Sequence, residues 1–223
     1  MVSETRVMLE LGPKGKRVVA VAPDWPGLAR GAKTEETAIA QLQAYLPRYA
    51  AIARLAGLES AFATSTAVTV VDRYQGTGST DFWGISFAFS DIDRQALTSA
   101  ELDRELTLLR SCWAYFDGVR ARVSAELRRG PRGGGRDRDH IVRHTFGTER
   151  DWAKGMGVLT PEGAMLTEAG LAAHRDAYCD AIRSHHAEGK MAKTWPLRYL
   201  IRHTAFHTLD HAWEMEDKDL TAQ

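Results

Sequence analysis

The stretch Arg202-His203-Thr204-Ala205-Phe206-His207-Thr208-Leu209-Asp210-His211-Ala212-Trp213-Glu214 carries three histidines, each four residues from the next, and reads as helix. On a helix, residues i and i+4 stack one above the other with Cβ atoms about 5–6 Å apart. Two imidazoles so placed can share a metal ion, each nitrogen about 2.0–2.1 Å from a zinc. Leu200, Thr204, His207 and His211 fall on one face of this helix, Glu214 flanks it, and His203 lies close beside it. A pair on one helix does not complete a site. A further ligand must come from a facing helix, which makes a helix bundle the fold to look for.

Working back from this segment, the chain reads as helix from Thr98 onward. Thr98 and Glu101 form a capping box at the start of a helix running to about Arg129. The run from Gly130 to Gly135 stops it, and further helices follow at about 137–155, 161–188 and 196–218. Four helices with short links predict a four-helix bundle over residues 96–223. The preceding segment, 1–95, reads as a small α/β region. Arg6 to Leu11 and Arg17 to Ala22 are β-prone and flank Gly-Pro-Lys-Gly, which predicts a hairpin. Thr34 caps a helix that Pro47 should kink or split before it ends near Leu58. Ala67 to Tyr74 and Phe82 to Phe89 read as two more strands. The fold class expected is therefore α+β.

Composition narrows the function classes. Among 223 residues Lys+Arg and Asp+Glu are both 29, so no global basic field argues for a nucleic-acid partner. No apolar run approaches a bilayer span and the first ten residues show no signal-peptide core, so no membrane is expected. Cys112 and Cys179 sit in separate helices without a C-x-x-C motif. They suit a reducing cytoplasm and buried packing positions rather than zinc knuckles or nucleophiles.

The second helix of the bundle offers His140 and His144, again i and i+4, within Asp139-His140-Ile141-Val142-Arg143-His144-Thr145-Phe146-Gly147-Thr148-Glu149. With these residues the stretch from Thr98 to Lys218 resembles the DinB/YfiT-like superfamily. The resemblance implies a bundle in which His144 joins His207 and His211 around a divalent metal, zinc or nickel. It further implies a thiol-dependent transferase or isomerase, whose partners are a low-molecular-weight thiol and an electrophile. A non-catalytic metal-binding or stress-response protein is the alternative. Threonine at 208 removes the general base of an H-E-x-x-H protease, and Asp210 leaves the inverted motif one methylene short. No Glu-x-x-His occurs in the helices to build a di-iron carboxylate site.

Several further residues are candidates around such a site. At about 100° per residue the apolar side of the second helix centres near Val142, Thr145, Glu149 and Met156, which puts Glu149 inside and His144 toward an edge. Either the helix is irregular there, or Glu149 serves the metal site, or the site lies at the mouth of the bundle. An internal salt bridge from Glu149 to an arginine such as Arg202 is the competing reading. Asp210 and Glu214 are placed to accept the free ring N–H of a ligating histidine, and His203 to line the approach. His140, His174, His185 and His186 read as surface residues. Arg136 and Arg138, in the arginine- and glycine-rich link of residues 128–138, are candidates for holding an anionic co-substrate at a helix N-terminus. A solvated link is the plainer reading of the same residues.

The N-terminal region adds a second resemblance. Val18 to Ala22 leading into Asp24-Trp25-Pro26-Gly27, then Gly31 to Ala38 with Thr34-Glu35-Glu36, resembles HicB-like domains, small α/β modules known from antitoxins. That implies a regulatory partner protein as another function class. The strands could instead cover one side of the bundle, or pair edge to edge with a second copy as a homodimer.

Overall fold

The computed structural model describes residues 4–62, 67–130 and 135–221. Among these the fold is mixed α+β, with four strands in one sheet and seven α-helices. The chain divides into two compact units: residues 1–112 with 198–206, and residues 113–197 with 207–223. The boundary expected near 95 falls inside the first unit. Two long helices are divided between the units: α4 (Ser99–Arg122) begins in the first and ends in the second, and α7 (Leu197–Lys218) gives residues 198–206 to the first and 207–218 to the second.

In the first unit β1 (Thr5–Leu11), β2 (Val18–Val21), β3 (Ala29–Ala32) and β4 (Val68–Gln75) form a sheet in the order β3-β2-β1-β4. The hairpin read from the sequence is present, with Met8 opposite Val21 and Leu11 opposite Val18. β4 runs parallel to β1, so the two are joined by a crossover containing α1 (Glu35–Leu55). Thr34 caps α1 by accepting from the Thr37 N–H. The helix runs through Pro47 without a break, ending at Leu55 instead of near Leu58. A proline inside a helix forgoes one hydrogen bond and costs about 3 kcal/mol. Burial of Leu42, Leu46, Tyr49 and Ile52 along one face offsets that loss, at about 1.5–3 kcal/mol for each large apolar side chain.

The segment Phe82–Phe89 is not a strand. Thr77 opens a short helix, α2 (Gly78–Trp83), through a capping box with Thr80, and Gly84 ends it at φ 68°, where a side chain would be strained. The backbone beyond it serves a buried carboxylate rather than a sheet edge. Glu10, wholly buried on β1, accepts from the Phe87 N–H at 3.0 Å and the Ala88 N–H at 3.3 Å. It also accepts from Thr80 and Ser86 hydroxyls, both at 2.5 Å, and from Tyr74 at 3.1 Å. A buried charge needs such partners. Aromatic content alone had suggested β structure there; the caps and the Glu10 network decide otherwise. A single turn, α3 (Asp91–Arg94), follows, capped by Ser90. Arg202 then closes the cluster with two hydrogen bonds to Asp93, at 2.6 and 2.7 Å.

The second unit is helical. α5 (Arg138–Lys154) starts at Asp137, whose carboxylate accepts from the His140 N–H at 2.6 Å. α6 (Glu168–Ala187) starts later than the sequence suggested. Thr167 caps it, and a 3-10 turn, Ala164–Leu166, precedes it. α4 ends at Arg122, short of the expected Arg129. Its continuation is clamped to the end of α7 by Arg128 N–H to Lys218 C=O at 2.8 Å and Ser124 N–H to Asp219 at 2.9 Å. Phe116, Val119 and Val123 of α4, Ile141, Val142 and Phe146 of α5, Leu171 of α6, and Ala212 and Met215 of α7 share one core. Residues 131–134, in the middle of the arginine- and glycine-rich link and including Arg132, lie outside the described residues. Among the described residues no helix is long and apolar enough to cross a membrane.

Candidate metal centre

Within the second unit, α5 presents His144 and the last part of α7 presents His207 and His211. One ring nitrogen from each lies within 4.8 Å of the other two. The Nε2 atoms of His144 and His207 are 3.3 Å apart. Two nitrogens bound at about 2.0–2.1 Å to one tetrahedral ion would be about 3.3–3.4 Å apart, so the spacing suits a shared metal. The rings of His144 and His211 are 4.9 Å apart and those of His207 and His211 are 4.6 Å apart. Exposure falls from His144, which is exposed, through half-buried His207 to buried His211. The trio is thus open at His144 and closed at His211. The Trp152 ring lies 5.3 Å from that of His207.

Glu214 fixes the tautomer of His211. Its carboxylate is 2.9 Å from His211 Nδ1 and 2.8 Å from Lys218 Nζ, with Arg136 at 3.4 Å. Burial alone would raise the Glu214 pKa. The hydrogen bonds from His211 and Lys218 outweigh it and hold the group at about 2. A carboxylate can only accept, so His211 Nδ1 donates, and its Nε2 lone pair is left for a metal. An acidic partner for the outer ring nitrogen is the usual companion of a metal-bound histidine. Burial, aided by the neighbouring His211 and Arg136, lowers the His144 pKa, which favours the neutral imidazole a metal requires. Replacing Glu214 with Gln is expected to weaken metal binding about 10–100-fold, measured by competition with a chromophoric chelator. Unchanged affinity would separate Glu214 from the site.

The other sequence candidates are distributed differently. Asp210 is half-buried on α7, and it is Glu214 that accepts the hydrogen bond from His211. Arg136 is engaged by Glu214, while Arg138 pairs with Asp139 at 2.9 Å and reaches the Val123 carbonyl at 3.4 Å. Both guanidiniums proposed for an anion therefore have protein partners. His203 belongs to the first unit. It is buried, stacked on Tyr199 at 5.1 Å and set 5.6 Å from Phe87. Burial and then the Arg202 charge push its pKa down to about 3, so it is a neutral packing residue. Cys112 and Cys179 are free and buried as expected, and burial raises the Cys112 thiol far above the reactive range.

Glu149 is inside its helix face, as the periodicity indicated, but its partner is Arg175, 3.3 Å away, and not Arg202. His174, read as a surface residue, is buried beside it: Nε2 is 3.7 Å from Glu149, and Nδ1 is 2.7 Å from the Thr160 hydroxyl. Leu171, His174, Tyr178 and Ile182 are all buried on α6. That i, i+3, i+7, i+11 spacing was a legible signal of an inward histidine. Burial raises Glu149 to about 7 against the pull of Arg175, and burial lowers His174 to about 4.

These two shifts act on stability with opposite sign. The contribution of Glu149 is full in acid, below its ordinary 4.5, and is lost as pH rises through about 7. That of His174 is full above its ordinary 6.5 and is lost as pH falls through about 4. Relative to a His174→Gln variant, the melting temperature of the wild type should fall steadily over that acid window. The His174 ring should stay neutral by NMR down to about pH 4; titration near 6.5 would refute the assignment.

Comparison with family profiles, curated proteins and solved structures found no match.

Proposed function

We propose that the protein is a metal-dependent enzyme of the DinB type. His144, His207 and His211 hold zinc or nickel, and the substrates are a low-molecular-weight thiol and an electrophile. The observation that carries the reading is the convergence of three imidazole nitrogens from two helices, backed by a carboxylate that sets the tautomer of one of them. Three neutral imidazoles leave a coordination position open, and a metal there supplies the charge that favours thiolate over thiol. The residues of the chain then bind and orient. His211 is anchored by Glu214, which Lys218 and Arg136 keep ionised. Trp152 flanks His207 with an apolar surface against which an electrophile can lie.

The same environment favours a second reading. Glu214, the carboxylate that accepts from His211, is tied to three cationic or donor groups and is not a free general base. A protein that binds metal without turnover would show this arrangement too. A transfer assay with several cellular thiols against a panel of electrophiles, run on metal-loaded protein, separates the two. Metal-dependent thiol consumption supports the enzyme. Silence across the panel, with metal bound, assigns the second reading.

A further inference from the structure

A different chemistry occupies the surface of the first unit. Lys14, Lys16, Arg17 and Lys33 surround a shallow depression of about 320 Å³, with Asp81 and Phe82 completing its wall. Its size is at the lower end for small-molecule sites, about 300–1,000 Å³. Phe82 and its neighbour Trp83 are 70% and 64% exposed and meet edge to face at 4.5 Å. Two large rings held side by side in water at the rim of a cationic hollow are not explained by packing.

The depression is built rather than incidental. Asp81 on α2 accepts the Lys14 N–H at 2.7 Å and the Lys16 N–H at 2.8 Å, so it pins the β1–β2 turn against the helix that carries both rings. A Cβ at Gly12 would come within 2.1 Å of the Asp81 carboxylate; only glycine lets the turn close this far. The Arg17 side chain lies across Gly84, its Cδ 3.0 Å from where a Cβ would be. Four cations and the Phe82 ring thereby line one ledge, with the Trp83 ring packed against Phe82. The single carboxylate among them is committed to backbone N–H groups and offsets part of the Lys16 charge, which leaves the ledge cationic.

We propose that this ledge binds single-stranded nucleic acid. Phosphates would lie along Lys14, Lys16, Arg17 and Lys33, and a base would stack on Phe82 or Trp83. Stacking on exposed rings beside a basic groove is the sequence-tolerant way to hold a single strand. The net charge of the whole chain is zero and gave no reason to expect such a partner; the charge is local. An acidic peptide would leave the rings unused. An anionic membrane would call for a projecting aromatic tip ringed by cations, whereas here the cations line a hollow.

The test uses the full chain and fluorescence anisotropy with a labelled single strand of about 12 nucleotides, within the span of known strand-binding sites. Comparison ligands are its duplex, inorganic polyphosphate and phosphatidylserine vesicles. The strand should bind more tightly than duplex or polyphosphate. Replacing Lys14, Lys16 or Lys33 with Ala should each flatten the log–log salt dependence by about 0.7. The double variant F82A/W83A should weaken strand binding about tenfold and leave polyphosphate binding unchanged. All these side chains are exposed, so the fold should survive, as an unchanged melting temperature would show. No strand binding at low salt, polyphosphate binding as strong as strand binding, indifference to the ring substitutions, or preference for vesicles would each overturn the proposal. Stripping metal with a chelator should leave strand binding intact, so failure here is distinguishable from failure of the metal reading.

Discussion

Purified His207→Ala and His211→Ala proteins are expected to retain almost no zinc or nickel after dialysis, while the wild type and His186→Ala retain about one ion per chain. Elemental analysis is the measurement. The expectation rests on number and spacing together. Three imidazoles are the minimum protein set of an open tetrahedral site, and loss of one leaves a two-ligand site that dilute metal cannot fill. His186 lies at the end of α6 and is not part of the trio, so it controls for adventitious histidine binding. The fold should tolerate both ligand substitutions. His207 is half-buried, and without His211 the buried Glu214 still has Lys218 at 2.8 Å. Because Trp152 is beside His207, metal addition should also change tryptophan emission in the wild type and not in His207→Ala. Equal metal content in both ligand variants and the wild type would end the metal reading, whatever the activity assays show.

What the sequence disclosed about this site was its local half. The spacing of His207 and His211 is a property of one helix and can be read directly. So can the choice between Asp210 and Glu214 once helix geometry is applied: residue 214 is three positions from His211 and on its side, whereas 210 is turned about 100° away. The third ligand depends on how α5 meets α7, which no local pattern encodes, and only the family resemblance pointed to His144. The same division holds for the fold. Capped helices and the β1–β2 hairpin carry their own signals, and both were legible. The strand Ala29–Ala32 carries none, since Ala-Arg-Gly-Ala has no β-branched residue. It is a strand because it pairs with β2 and because the buried Arg30 lies 3.5 Å over the Tyr45 ring. Segment 82–89 failed in the opposite direction: its aromatic content indicated β structure, while a carboxylate some seventy residues away, Glu10, claimed its backbone N–H groups. Periodicity found that Glu149 is buried; it could not find that Arg175, on another helix, is its partner.

The largest stability effect is expected at Asp93, in a part of the molecule remote in character from the metal site. Arg202 and Asp93 are 3% and 1% exposed, and two hydrogen bonds of 2.6 and 2.7 Å join them. Arginine does not shed its proton, so Asp93→Ala leaves a permanent charge in the interior with neutral partners: Ser86, Tyr74, the Ala88 carbonyl and the Tyr199 ring. Breaking a buried pair in this way costs about 3–5 kcal/mol, a lowering of the melting temperature by about 10 °C for a chain of this size. Part of that loss could come from the Ser90 N–H that Asp93 also holds at 2.8 Å. Asp93→Asn keeps an acceptor there and removes only the charge, so most of the loss should persist in it. The exposed pair of Arg6 and Asp24, at 3.0 Å, supplies the contrast: Asp24→Ala should cost no more than about 1 kcal/mol, because water replaces the partner. Replacing both Asp93 and Arg202 with apolar residues should recover much of what Asp93→Ala loses, since the penalty belongs to the orphaned charge and not to the missing bond. If chemical denaturation instead gives Asp93→Ala and Asp24→Ala the same small loss, the charge on Arg202 has found water, and the Glu10–Arg202 cluster is not the closed interior described above.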